Sequence, residues 1–241
     1  GKGLPVVVVG SAGFAAVRDA AFAAVNADGS VTLSDSPLPA PVFKATAASV
    51  AVDSAMQLSA SDREILAGAQ GKARQVALQV VLRMAQLQGA TELIDVVQAH
   101  IDGCIYTGSA SLRFAEQLRD WGGIVKVPTT LNAISVDQRR WRALGIDAAF
   151  GEPASALAQA YVDMGAQASF TCAPYLLDSA PQAGEQIVWA ESNAVVYANS
   201  VLGAYTAKYA DYLDICIALI GRAPKAGCHL PGNRHANLVL R

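Results

Sequence analysis

The chain has 241 residues, of which 53% are hydrophobic and 16% charged, with a net charge of −2. That content calls for a large core and excludes a disordered chain, and the near-neutral balance gives no electrostatic case for nucleic acid or an anionic membrane. No apolar run approaches the ~20 residues of a membrane span, and four dispersed cysteines without a secretion signal read as a reduced, cytoplasmic setting.

The opening GLPVVVVG reads as a buried parallel strand, a short β-branched run between glycines. A turn follows at Asp28-Gly29, and residues 34–57, with Pro37, Pro39 and Pro41 among Ser and Ala, read as a linker. Ser61 and Glu64 form a capping-box pattern ahead of a helix from Asp62 to about Gln88, carried by Ile65, Ala69, Val76, Val80, Met84 and Leu87. Gly68 and Gly71 predict a break near its start. ELIDVVQA (92–99) predicts a strand, SLRFAEQLRDWG (111–122) a helix ending at Gly122, IVKV (124–127) a strand, and PTTLNAIS (128–135) a loop. SALAQAYVDMG (155–165) predicts a helix stopped by Gly165, and QASFTC (167–172) a third strand. Repeated strand–helix–strand units argue for an α/β layer with a parallel sheet. In such sheets ligands gather beyond the carboxyl ends of the strands.

Three polar stretches fall at that edge: His100 to Thr107, Thr129 to Asn132, and Thr171 to Tyr175. In QAHIDGCIYTG, alternation would put His100, Asp102 and Cys104 on one face of an extended chain. His100 and Asp102 make either a proton-handling pair or a buried structural network. Cys104 and Cys172 suit a thiophilic metal, or are simply buried; Cys216, in an apolar helix-like run, reads as core, and Cys228 is ambiguous. The TTLN loop (129–132) either holds a substrate carboxylate or caps the helix that follows. In WAESNAVVYANSVLGAYT, Ser192 is placed to N-cap a helix. Ser192, Asn199 and Thr206 then share one stripe beside Gly203, facing either a site or a close helix contact. Glu185 and Glu191 are acid–base groups or surface charges. His229 and His235 carry no clear signal. No GxGxxG, Walker, GxSxG or HExxH motif occurs.

The stretches DREILAGAQGKARQVAL, AHIDGCIYTG, VPTTLNAISVD, TCAPYLL, GEQIVWAESNAVVYANSVLGA and DYLDICIALIGRAP, in this order, resemble the aconitase X family in its fused bacterial type. The resemblance implies an α/β, aconitase-like layered parallel-rich sheet with flanking helices. Residues 1–33 would be the tail of a small swivelling domain, 34–57 a linker, and 58–241 the first part of an incomplete large domain. It implies an iron-dependent hydro-lyase that converts cis-3-hydroxy-L-proline to Δ1-pyrroline-2-carboxylate. The alternatives are mevalonate 5-phosphate as substrate, or a non-catalytic binding domain of the same fold. The cofactor would be an iron–sulfur cluster or mononuclear iron held by Cys104 and Cys172. His100, Asp102, Glu191 and Ser192 would be catalytic, and Tyr106, Thr107, Thr129, Thr130, Asn132, Asn193 and Asn199 would bind substrate. The implied partners are a small hydroxy acid, the rest of the large domain and the small domain, with no nucleic acid and no membrane. Tyr205 departs from the arginine expected of many relatives at that position.

Overall fold

The computed structural model describes residues 56–235, together with the backbone of two strands, β1 (Phe22–Val25) and β2 (Val31–Ser34). The chain divides into two units, Gly1–Ser49 and Val50–Arg241. In the first, β1 and β2 pair antiparallel with Phe22 opposite Ser34 and Val25 opposite Val31. The expected strand over residues 5–9 and the turn at 28–29 lie outside the described residues, as does most of the expected linker.

The second unit begins with α1 (Ala60–Leu66) and α2 (Lys72–Leu87), separated where the glycines predict a break. Gly71 holds φ at 91°, a value L side chains rarely adopt, and so sets the new helix direction. The capping box sits two residues earlier than Ser61–Glu64. The Ser59 hydroxyl accepts from the Asp62 N–H, and the Asp62 carboxylate accepts from the Ser59 N–H. Asp62 then also receives Arg222, whose guanidinium further reaches Asp95 and the Leu93 carbonyl. That choice explains the shift: Ser59–Asp62 satisfies the helix end and a cation at once.

The run expected as one strand over 92–99 is two, because the chain changes partners. β3 (Leu93–Asp95) pairs antiparallel with β7 (Arg222–Pro224). The Val96 and Val97 N–H groups then donate to Gly221 and Gln186. β4 (Ala99–Ile101) continues as the centre of a parallel three-stranded sheet, between β5 (Thr129–Leu131) and β6 (Val188–Trp189). His100 lies opposite Thr130 on one side and Trp189 on the other.

IVKV is no strand. The Val125 N–H donates to Met164 at the end of α4 (Ala148–Asp163), and the Lys126 N–H to Ala218 in α6 (Leu213–Ile220), so this segment satisfies helix-end carbonyls. The sheet is instead built from Thr129–Leu131, inside the expected loop. QASFTC runs beside β5 without becoming a strand: Gln167 bridges Thr130, and the Ser169 hydroxyl bonds both the N–H and the carbonyl of Leu131. Phe170, at φ 41°, breaks the extended path.

Helices α3 (Ser109–Asp120) and α4 pack on each other, and α2 packs along α6. Every residue of α6 is buried and all but Asp214 are apolar, so the helix forms the centre of the core. Leu78, Val81, Leu82 and Ala85 of α2, Ile101 of β4 and Leu131 of β5 close the core around it. The helix expected over 192–206 is shorter. α5 (Ser192–Tyr197) widens into a π-turn at Ala198–Leu202, ends at Gly203 with φ 73°, and returns so that Tyr205 bridges Gln186.

Candidate active site

β4 positions the first group. Ala99 and Ile101 belong to the main core, so alternation turns His100 to the opposite face of the sheet. There its Nδ1 lies 2.8 Å from the Thr130 Oγ1, and the Thr130 hydroxyl donates to the Ala99 carbonyl at 3.4 Å. Nε2 has no hydrogen-bond partner among the described residues. Burial pushes the imidazole down to about 4, against smaller upward pulls from the Asp102 charge and the Thr171 backbone, so the ring is neutral at pH 7. His100 and Asp102 are thus related by charge and not by a hydrogen bond.

The expected alternation stops at Asp102. The Cys104 N–H donates back to the Asp102 carbonyl at 2.7 Å, a tight turn that swings Cys104 away from Asp102 and into the main core. Its side chain is 0% exposed and its thiol donates to the Ile101 carbonyl at 3.3 Å. Burial first, then the Asp214, Asp102 and Asp211 carboxylates, push that thiol well above its ordinary range. The sulfur is held as a buried, protonated group.

The same turn leaves Asp102 half-buried among polar partners. The Asn132 Nδ2 donates to Asp102 Oδ1 at 2.7 Å and also to Glu191 Oε2, joining two carboxyl groups through one amide. Asn132 itself is fixed: its N–H donates to Ile101 at 3.0 Å, and its Oδ1 accepts from the Ala133 N–H at 2.7 Å. Lys208 Nζ reaches Asp102 Oδ2 at 3.3 Å and the Tyr209 carbonyl at 3.2 Å. Glu191, just before α5, has its carboxyl pushed upward by burial, then by a hydrogen bond with Asp102 and the Asp102 charge. The Asn132 amide and Lys208 pull it partly back. Two carboxyl groups thus share one amide, and the environment of Glu191 disfavours its charged form.

Not every expected contact faces this cluster. Thr129 spends its hydroxyl on the Val127 carbonyl at 2.8 Å. Asn199 spends its amide on the carbonyls of Val195 and Thr206, both at 2.8 Å, so it clasps the π-turn and is not free for substrate. Thr206 in turn bonds Trp189, so Asn199 and Thr206 of the expected stripe form a fastening, while Ser192 stands apart from it. The Glu185 carboxylate accepts from the Gln182 N–H. The Asn193 amide donates to the Cys172 carbonyl at 2.9 Å and thereby ties the loop after Phe170 to α5. Tyr106 donates its N–H to Ser135 and sets its ring edge-on to Phe150. Thr107 and Ser192 are exposed, with no hydrogen-bond partner among the described residues.

Two groups escaped the sequence reading. Lys208 has no motif signal. Asp214 did: an acid inside YLDICIALIG is out of place in a helix that is otherwise apolar. Its carboxylate is fully buried and accepts from the main-chain N–H of Asp102 at 2.7 Å and of Ile215 at 2.8 Å. Burial pushes it up to about 7, and those two N–H groups restrain the rise.

An iron centre needs several soft or anionic donors that converge. Among the described residues no three His, Cys, Asp or Glu side chains converge in a way that could hold a metal ion. Cys172 is exposed and available as one thiolate; Cys104, sealed in the core and bonded to a carbonyl, is not. The described residues therefore do not make a complete iron site. No helix among them is long and apolar enough to cross a membrane.

Comparison with known proteins agrees with this architecture. The chain is 64% identical over 202 residues to the cis-3-hydroxy-L-proline dehydratase of Pseudomonas aeruginosa, covering 84% of this chain and 35% of that protein. It is 55% identical over 243 residues to the protein of the same name in Hypocrea jecorina, covering 100% of this chain and 41% of that one. A phosphomevalonate dehydratase large subunit from Methanothermobacter thermautotrophicus is 34% identical, with 75% of this chain and 46% of that one covered. The crystal structure of Thermococcus kodakaraensis aconitase X in its holo-form superposes with a TM-score of 0.69 at 33% identity, over 75% of this chain and 45% of that chain. The chain thus spans less than half the length of the relatives it matches. Residues 55–232 match the model of the aconitase X first domain, and the chain belongs to the aconitase X family.

Proposed function

We propose that this chain supplies acid–base groups for the dehydration of cis-3-hydroxy-L-proline. The observation that carries the reading is the Asp102–Asn132–Glu191 cluster with Lys208 beside it, at the exit of the central strand. The two hydroxyproline dehydratases, at 64% and 55% identity, favour this substrate over mevalonate 5-phosphate, whose dehydratase stands at 34%.

The difficulty of the reaction is twofold: the proton on C2 is weakly acidic, and hydroxide leaves C3 reluctantly. Asp102, steadied by Lys208 and Asn132, takes the C2 proton. The C–H electron pair forms the C2=C3 bond, and the C3–O bond breaks. Glu191, whose carboxyl is pushed upward by burial and by Asp102, serves as the acid and gives a proton to the departing oxygen, releasing water. The resulting enamine transfers a proton from nitrogen to C3 through solvent and becomes Δ1-pyrroline-2-carboxylate. Thr107 and Ser192 are the hydroxyls free to hold the substrate. His100, neutral and bonded to Thr130, supports the sheet beneath the cluster. The family resemblance implies iron as Lewis acid on the leaving hydroxyl. In this chain the exposed Cys172 would be a thiol offered to such a centre.

The test is to offer the holoenzyme carrying this chain cis-3-hydroxy-L-proline in deuterated water. Δ1-pyrroline-2-carboxylate should form, with deuterium at C3. Dehydration of mevalonate 5-phosphate with hydroxyproline untouched would transfer the assignment to that substrate. A fully loaded protein that turns over neither would mark a domain that binds without catalysis.

A further inference from the structure

The Asp102 side chain projects from a turn, and turns are the parts of a fold least able to hold a side chain still. Here the turn is anchored from below. Asp214, in the first turn of α6, sends one carboxylate oxygen to the Asp102 main-chain N–H at 2.7 Å, while its other oxygen takes the N–H of Ile215 at 2.8 Å. The anchor is 112 residues away in sequence and stands on the most deeply buried helix of the unit.

The surroundings make this an unusual use of a charge. Asp214 is fully buried, and the groups facing it are Asp102 and Cys104 on the turn, Tyr161 from α4, Asp211 before α6, and Cys216 within it. None is a cation. Tyr161 turns its hydroxyl to the Gly103 carbonyl at 3.2 Å, and that hydroxyl and the Tyr212 ring lie against Gly103. A carboxylate without a cation in an apolar helix is costly, and a leucine there would continue the core. Its hydrogen bonds go to its own helix and to one other place, the backbone of Asp102.

We propose that Asp214 is a positioning residue, whose buried carboxylate fixes the main chain at Asp102 so that the Asp102 carboxylate meets Asn132 and Lys208 in one geometry. For its catalytic consequence the proposal rests on the acid–base reading above. Its structural content is independent of that reading, and the experiment separates the two.

Amide hydrogen exchange and turnover are measured on wild type and Asp214→Asn. Asparagine keeps the volume but presents only one acceptor oxygen to the two N–H donors. The expected result is at least a tenfold faster exchange at the Asp102 amide, with amides of Cys216 to Ile220 keeping their protection. kcat should fall at least tenfold and KM change less than threefold, because misplacing a base affects the reacting geometry more than binding. If Asp214→Asn does not fold, Asp214→Ser, smaller and neutral, gives the same readouts. An Asp102 amide that stays protected in the folded variant overturns the proposal. So does faster exchange with undiminished kcat. If wild type shows no turnover of hydroxyproline, the reaction reading fails, and the exchange result still decides whether Asp214 holds the turn.

Discussion

Within three residues, β4 faces two different interiors. Ala99 and Ile101 point into a core of aliphatic side chains from α2, α6 and β5, where packing alone accounts for the contacts. His100, between them, points the other way, toward Thr130, Trp189 and the Thr171 backbone, into a region that keeps polar atoms buried. The first interior could be refilled by other apolar residues of similar volume. The second contains buried polar groups that cost stability, and it borders Asp102, Asn132 and Glu191. The lesson is where to look: on the face of the sheet where burial and polarity coincide.

The largest effect belongs to the polar side. Glu191→Gln keeps the shape and removes the proton donor, so kcat should fall on the order of 10²–10⁴-fold with the melting temperature nearly unchanged. Steady-state dehydration of hydroxyproline checks this, and a variant within threefold of wild type would remove Glu191 from the mechanism. On the apolar side the reverse should hold. Ile101→Ala should cost about 2–5 kcal/mol in denaturant unfolding while the folded fraction keeps its kcat. An equal loss in kcat would show that the two faces are not separable.

A smaller effect sharpens the contrast through pH. The His100 imidazole has an ordinary value of 6.5 and is held near 4 in the fold, so the unfolded chain takes up its proton first as pH falls. The stability that depends on neutral His100 is therefore present above about 6.5 and lost as pH drops toward 4. Melting temperatures at pH 7 and 4.5 should differ less in His100→Gln than in wild type. His229, also held near 4 by burial, keeps part of the acid sensitivity in that variant. Asp214 acts in the opposite sense: raised to about 7, it makes the fold lose stability as pH rises from about 4 to 7. An unchanged acid sensitivity in His100→Gln would contradict the burial account. The smallest effect concerns the cysteines. Cys104→Ala should lower stability by about 1 kcal/mol and leave bound iron in the holoenzyme intact, whereas Cys172→Ala should lower its iron content. Equal iron loss from both would restore Cys104 as a ligand.

Much of this was legible in the sequence. The Gly68–Gly71 break, the four-residue polar stretch at 129–132 and the family itself follow from local chemistry and motif order. What failed did so where backbone hydrogen bonds cross between elements. IVKV has a strand's composition, yet its N–H groups serve two helix ends, and Thr129–Leu131 takes the place in the sheet. The alternation of His100, Asp102 and Cys104 assumes an extended chain that the turn at Asp102 ends. The resemblance assigns Asn199 to substrate, and nothing local shows that it will close the π-turn. Lys208 and Asp214 reach the cluster only through folding, from 106 and 112 residues away.

The π-turn at Ala198–Leu202 bears on how this region tolerates insertion and deletion. Such a turn is a helix carrying one surplus residue, and each residue of a helix turns the chain by about 100°. Deleting any one of these five residues would re-phase the coil and rotate all that follows. Asn199 could no longer reach both Val195 and Thr206, Thr206 would come away from Trp189, and Lys208, two residues on, would leave Asp102. A library of single-residue deletions across 192–206 should thus show a sharp intolerance at 198–202, where exposed Val201 alone would suggest a permissive surface.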